Sequence, residues 1–253
     1  MDVKITNSKF SSLSLYKPEE WQTPFGVESC YIQRFAIGEE IRIQFFSGDT
    51  GFEARHIDEN EAETPLTITE LITIGEKTLF ETVFTVNTPG LYRFELKNGL
   101  AGPTGACFCI QPVEDLEDTV LLSYTHRNND FNTIFTGRRF NFRIEGGIYP
   151  GEKTLSTENE IFRDQRFNLH QTFATTYEVS VLTIGPPAGV PCWAGNKTSH
   201  IFDLSDVEVN GIKSVRHENA TTESIPVGNK KNSLSVYKIS IEQPDEDVHT
   251  LVD

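Results

Sequence analysis

Thr88-Pro89-Gly90-Leu91-Tyr92-Arg93-Phe94-Glu95-Leu96 is the stretch that decides the fold. Proline presets φ for a turn, and the following glycine supplies a left-handed residue. Apolar and polar side chains then alternate, which turns every second residue to one face of a strand. The same pattern recurs upstream in Cys30-Tyr31-Ile32-Gln33-Arg34-Phe35, Glu40-Ile41-Arg42-Ile43-Gln44-Phe45, Leu66-Thr67-Ile68-Thr69 and Leu79-Phe80-Glu81-Thr82-Val83-Phe84. Downstream it recurs in Cys107-Phe108-Cys109-Ile110. Short alternating runs punctuated by Gly and Pro predict antiparallel strands with one buried and one polar face, stacked as a β-sandwich.

The second half continues in the same way. Val120-Leu121-Leu122-Ser123-Tyr124, Arg139-Phe140-Asn141-Phe142-Arg143-Ile144-Glu145, Tyr177-Glu178-Val179-Ser180-Val181-Leu182-Thr183-Ile184 and Leu234-Ser235-Val236-Tyr237-Lys238-Ile239-Ser240-Ile241 read as strands. Asp206-Val207-Glu208-Val209 and Ile212-Lys213-Ser214-Val215 flank Asn210-Gly211, a type I′ hairpin signal. Residues 190–202 are the one stretch with roughly helical apolar spacing; Pro191 suits a first turn and Gly195 weakens it. The prediction is an all-β chain of two antiparallel β-sandwich domains in tandem, with one short helix near 190–203. The first spans 1–118 and includes an extended arm; the second spans 119–253 and ends in an acidic tail.

Composition agrees with strands and narrows function. Eighteen Phe stand against one Met, with 18 Gly and 12 Pro in 253 residues. Net charge is −15, which excludes a generic nucleic-acid coat and disfavours docking on anionic lipid. The charge is uneven: 9 Lys+Arg against 20 Asp+Glu over residues 1–122, and 13 against 17 over 123–253. Glu114-Asp115-Leu116-Glu117-Asp118 lies near the change and reads as a short linker or as the start of the second domain. The amino-terminal residues lack the pattern of a secretory signal, and no apolar run reaches membrane-spanning length.

No catalytic constellation emerges. There is no GxSxG elbow. Cys192 and His200, eight residues apart on one helix, stand about 12 Å apart along its axis, too far to act together. Cys192 beside Trp193 reads as a core cysteine, and the four cysteines as buried free thiols. His56-Ile57-Asp58-Glu59-Asn60-Glu61 is acidic but lacks the DxDxDG pattern of a calcium loop. No cofactor, metal ion or catalytic residue is expected. The candidate contact residues are Trp21 and Phe25 in the arm, Asp58, Glu59 and Glu61 in the acidic loop, Arg127, Asn128 and Asp130 in the polar loop, then Arg138, Arg139, Phe162, Arg163 and Arg166. The arm 1–28, the loops 53–65 and 126–137, the segment 146–172 and the tail 242–253 are the candidate contact segments. Segment 146–172 is long, polar and weakly periodic, which suggests a connection that orders on assembly.

Several short motifs in the second half occur in a telling order: Tyr124, the loop 128–130, Phe140-Asn141-Phe142-Arg143-Ile144-Glu145-Gly146, Phe162-Arg163-Asp164-Gln165, Leu182-Thr183-Ile184-Gly185, Gly189-Val190-Pro191-Cys192-Trp193 and Val207-Glu208-Val209-Asn210-Gly211-Ile212. That order, over about residues 120–243, resembles virion structural proteins found near tail genes of phages and prophages of Bacteroidetes, including crAss-like phages. The resemblance implies a non-enzymatic building block, folded in the host cytoplasm and assembled in the virion neck or tail as a homo-oligomeric ring. Portal, tail or fibre proteins would be its partners. An acidic surface would suit a channel through which DNA slides without sticking. The alternative is a carbohydrate- or receptor-binding β-sandwich module, with Trp21, Tyr31 or Phe52 as contact aromatics. A ring component self-associates or needs virion partners, whereas a glycan-binding module is a competent monomer.

Overall fold

The computed structural model describes residues 5–15, 31–98, 104–129, 132–218, 220–227 and 234–244. Trp21, Phe25, Asp130 and the tail beyond 244 lie outside the described residues. The first half carries β1 (Thr6–Asn7), β2 (Gln33–Ala36), β3 (Ile41–Ser47), β4 (Phe52–Asp58), β5 (Glu63–Leu66), β6 (Ile68–Ile74), β7 (Lys77–Phe84), β8 (Gly90–Asn98) and β9 (Thr104–Gln111). They form a four-stranded sheet, β1-β3-β7-β6, and a five-stranded sheet, β2-β9-β8-β4-β5. Between the sheets lies a core rich in aromatic rings. Phe45 stacks on Phe80 across the β3–β7 ladder at 5.4 Å and meets Phe52 of the opposite sheet edge-on at 5.2 Å. Phe35, Phe84, Phe94 and Phe108 complete it. Such offset and edge-on pairs add to the burial of large apolar area.

Two expectations need correction here. The ladders are antiparallel except one: β2 lies parallel to β9, with Gln33 opposite Phe108. An edge strand reached by a long connection is free to run either way, and alternation does not encode direction. The polar face of β3 is also not solvent-exposed. Gln44 is fully buried, as is most of Glu81 opposite it on β7, because the second domain packs on that face.

A short 3-10 turn (Val113–Leu116) leads to the second half. It holds β10 (Thr119–Thr125), β11 (Phe140–Arg163), β12 (Leu169–Ile184), β13 (Val190–Pro191), α1 (Cys192–Ile201), β14 (Asp206–Val209), β15 (Ile212–Lys213), β16 (Val215–Arg216), β17 (Glu223–Pro226) and β18 (Leu234–Glu242). Its strands make one nine-stranded antiparallel sheet along β13-β18-β12-β11-β10-β14-β15, with β16 and β17 also on β18. The fold is all-β with one helix, as the alternating runs predict. Asn210 and Gly211 stand at φ +51° and +82°, the left-handed pair that a type I′ turn needs. α1 begins one residue after Pro191, which serves as its N-cap. The second core gathers Val120, Tyr124, Phe140 and Phe142 with Leu182, Ile239, Ile241 and the helix residues Ala194 and Ile201.

Residues 5–15 stitch the halves together. Phe10 belongs to the second core, whereas Leu13 and Leu15 belong to the first. The backbone carbonyl of Phe10 accepts from the Tyr124 hydroxyl at 2.7 Å, and that of Ser11 accepts from the Lys197 ammonium. This part of the expected free arm is therefore a buried strap.

Candidate functional site

Strands β11 and β12 outrun the sheet that contains them. β10 pairs with β11 only over 140–145, and β18 pairs with β12 only over 179–184. Beyond those ladders, residues 155–163 and 169–178 pair with each other, from Leu155–Glu178 to Arg163–Leu169. Roughly ten residue pairs at about 3.4 Å per residue give a hairpin about 35 Å long. The segment expected to be a weakly structured connection is thus a strand pair. Its polar, β-branched composition suits a ribbon wetted on both faces, where no buried face imposes alternation.

The ribbon exposes large apolar side chains. Leu155 and Phe167 are each 77% exposed, and Ile161, Leu169 and Phe173 are also exposed. Register and alternation place Leu155, Ile161 and Leu169 on one face, and Phe162 and Phe173 on the other. An extra residue in β12 between the partners of Glu160 and Ile161 bends the ribbon near its end.

The tip is a built loop. Asp164 Oδ1 accepts from the backbone N–H of Arg166 at 2.8 Å and of Asn168 at 2.9 Å, and Asp164 Oδ2 accepts from the Asn168 amide at 3.0 Å. Backbone bonds from Asp164 N–H to the Asn168 carbonyl and from Phe167 N–H to the Asp164 carbonyl close the turn. Phe167 is held at φ +66°, a left-handed conformation rare for a bulky residue. That conformation displays the Phe167 ring on the surface at the tip. Arg163 and Arg166 flank it, both exposed.

The predicted contact residues fall into three groups. Phe162, Arg163 and Arg166 come together at the tip. Asp58, Glu59 and Glu61 lie at the β4–β5 turn, where Asp58 Oδ1 accepts from the Asn60 and Ala62 N–H groups at 2.9 Å. That carboxylate organises its own turn, and Glu61 reaches Arg93 at 3.5 Å. His56 turns inward beside Phe84, and burial lowers its pKa.

The third group is engaged within the molecule. Arg138 donates to Glu81 of the first half at 3.0 Å, and Arg139 pairs with Asp206 at 3.0 Å and with Glu208 at 2.6 Å. Asn129 folds the polar loop back by accepting from the Phe135 and Thr136 N–H groups, at 2.8 and 3.0 Å. Phe135 inserts into the second core, and Ile134 exchanges bonds with the Gln44 amide. The Arg127 N–H donates to Ser205. Arg127 and Asn128 are exposed beside this docked loop. Sequence reasoning missed Leu155, Ile161, Phe167, Leu169 and Phe173. The signal available was an apolar residue every few positions within a polar segment.

Other chemistry is sparse. Cys192 is exposed at the start of α1 and Cys107 and Cys109 are half-buried, so the expected burial of these thiols does not hold. His200 pairs with Asp203 at 3.3 Å. Among the described residues, no group of three or more His, Cys, Asp or Glu is placed to hold a metal ion. Among them, too, no helix is long and apolar enough to cross a membrane.

No family model matches the chain, and no curated protein matches it. Among solved structures, a chain of the crystal structure of Dpr2 Ig1-Ig2 in complex with DIP-Theta Ig1-Ig3 is 6% identical, with a TM-score of 0.21. The match covers 86% of this chain and 88% of that one. That score lies below the level of a common fold.

Proposed function

We propose that this chain is a non-enzymatic structural subunit whose β11–β12 hairpin docks on a second copy of the chain, building a ring in a phage neck or tail. The observation that carries the reading is the ordered hairpin tip with its exposed apolar residues. An exposed apolar patch raised on a rigid support marks an interaction site. The occupant follows from charge. The tip carries Arg163 and Arg166 against Asp164, on a chain whose net charge is −15. The β6 edge offers the complement: Glu70 and Glu76 are exposed beside the apolar Ile72 and Ile74. Among the described residues β6 is the last strand of its sheet, and no described strand pairs with its outer side. A tip on one subunit meeting an edge on the next is a heterologous contact, and such contacts build a ring when the rotation between subunits closes. Portal or tail proteins would then seat on the ring.

Light-scattering mass and negative-stain images of the purified chain, alone and with a portal or tail protein, test this. Closed rings that disappear when the tip is removed are the expected result. A chain that stays monomeric with those partners present overturns the reading.

A further inference from the structure

A cavity of about 390 Å³ opens between the strap 5–15 and α1. Among the described residues, its lining includes Asn7, Lys9, Trp193, Asn196, Lys197 and His200 and no Asp or Glu. In a chain of net charge −15, a cavity walled by two lysines and a histidine is out of character. Asp203 acts on Lys9 and is itself held by His200 at 3.3 Å and by Arg216 at 3.5 Å.

Two groups in the wall are unfinished. Lys197 is 4% exposed; its ammonium donates to the Ser11 carbonyl and lies 4.2 Å from the centre of the Phe142 ring. An ammonium has three N–H donors, and no carboxylate in the described residues pairs with this one. Asn7 Oδ1 is buried and accepts no hydrogen bond. The site therefore wants negative charge at one point and a hydrogen-bond donor at another. Trp193 adds an indole, the usual companion of a sugar ring's apolar edge.

We propose that this cavity binds an acidic monosaccharide, with its carboxylate toward Lys197 and Lys9 and a hydroxyl donating to Asn7 Oδ1. A carboxylate on a polyhydroxylated ring supplies both missing partners, whereas inorganic phosphate supplies charge without the ring's array of hydroxyls. The volume lies in the range of small-ligand sites, about 300–1,000 Å³. Burial lowers the Lys197 pKa to about 7. A ligand carboxylate favours the charged form, so binding above neutral pH takes up a proton. Lys9, His200 and Asp203 are the other titratable groups at the site, and Arg216 its remaining charge.

Calorimetric titration of the full chain with D-glucuronate and with N-acetylneuraminate is the test, repeated in buffers of different ionisation enthalpy at pH 8. Saturable binding of at least one acid is expected, with proton uptake. Its methyl ester should bind about tenfold more weakly, since one charge-assisted contact is lost. Lys197→Met should lose about tenfold, and Lys9→Gln, at an exposed position that leaves folding untouched, a few-fold. No saturable binding of either acid at millimolar concentration overturns the proposal. So does equal binding of inorganic phosphate or of the methyl ester, or unchanged affinity in Lys9→Gln.

Discussion

Gly195 sits inside α1, where glycine costs about 1 kcal/mol relative to alanine. Its role is steric: a Cβ there would lie 2.2 Å from Cε2 of Tyr237, a ring pinned in the core. Gly195→Ala should therefore destabilise the chain by about 2 kcal/mol despite the better helix former, because overpacking outweighs propensity. A lowered melting temperature with unchanged helix content checks this. Sequence reading identified the glycine as a weak point of the helix but had no access to Tyr237, which arrives from β18. Asn210-Gly211 was legible because its signal is local. Lys197 was not, since a lone lysine in a sequence carries no sign of burial. Its lowered folded-state pKa, about 7 against 10.5 unperturbed, means that the unfolded chain holds more protons between those values. Stability should rise with pH across that window, by up to about 1.4 kcal/mol per pH unit, and show the full penalty below 7. Lys197→Met should flatten the rise and add about 2 kcal/mol at pH 7, because a buried unpaired charge is removed. Urea denaturation at pH 6, 7.5 and 9 reads both effects.

The β11–β12 ribbon shows why elements differ in legibility. Strands with one buried face announce themselves by alternation, as β8 and β18 do. Leu234–Glu242 alternates half-buried and buried throughout. The ribbon buries neither face against a core, so its sequence reads as loop. Excising residues 155–178 and joining Thr154 to Val179 through Asn-Gly tests the separation of ribbon from body. Those two residues stand opposite each other, the geometry a two-residue turn closes. Body stability should change by less than about 1 kcal/mol, because the deleted residues contribute little to either core. Assembly should be lost. The docking geometry makes a sharper demand. Arg163→Glu with Arg166→Glu should weaken self-association, and adding Glu70→Arg with Glu76→Arg should restore it. Sedimentation velocity of the tip variant, alone and with both pairs exchanged, decides the matter. Rescue by exchange is the signature of complementary charge, and failure of rescue places the tip elsewhere.

At the scale of the molecule, the decisive feature is the seam between the halves, and it was hidden. Residues 42, 44 and 81 occupy the polar positions of alternating strands, which normally face water. Here they form a network across the seam. Glu81 accepts from Gln44 at 2.8 Å and pairs with Arg42 and Arg138, each at 3.0 Å. Arg42 also lies over the Phe140 ring, and Arg143 of the second half reaches Glu39 of the first at 2.9 Å. Arg34 extends the seam to Asp118 at 2.7 Å, holding that carboxyl below its ordinary pKa. The Glu81 side chain is only 9% exposed, so its charge is committed to its two arginines. Removing one partner of a buried pair typically costs about 3–5 kcal/mol, because the remaining charge stays desolvated. Glu81→Gln keeps the shape but withdraws the charge, leaving Arg42 and Arg138 facing each other. It should cost about 3 kcal/mol. It should also split calorimetric unfolding into two transitions, one for each core, because the seam then loses the charge that joins Arg42 to Arg138 and is left with the strap 5–15 and the pairs Arg143–Glu39 and Arg34–Asp118. Arg139→Gln is the control. That arginine is bonded within the second half and is one-third exposed, so it should cost under about 1 kcal/mol and leave one transition. A single cooperative transition in Glu81→Gln would show that the strap and the remaining seam contacts, Arg143–Glu39 among them, suffice to couple the halves.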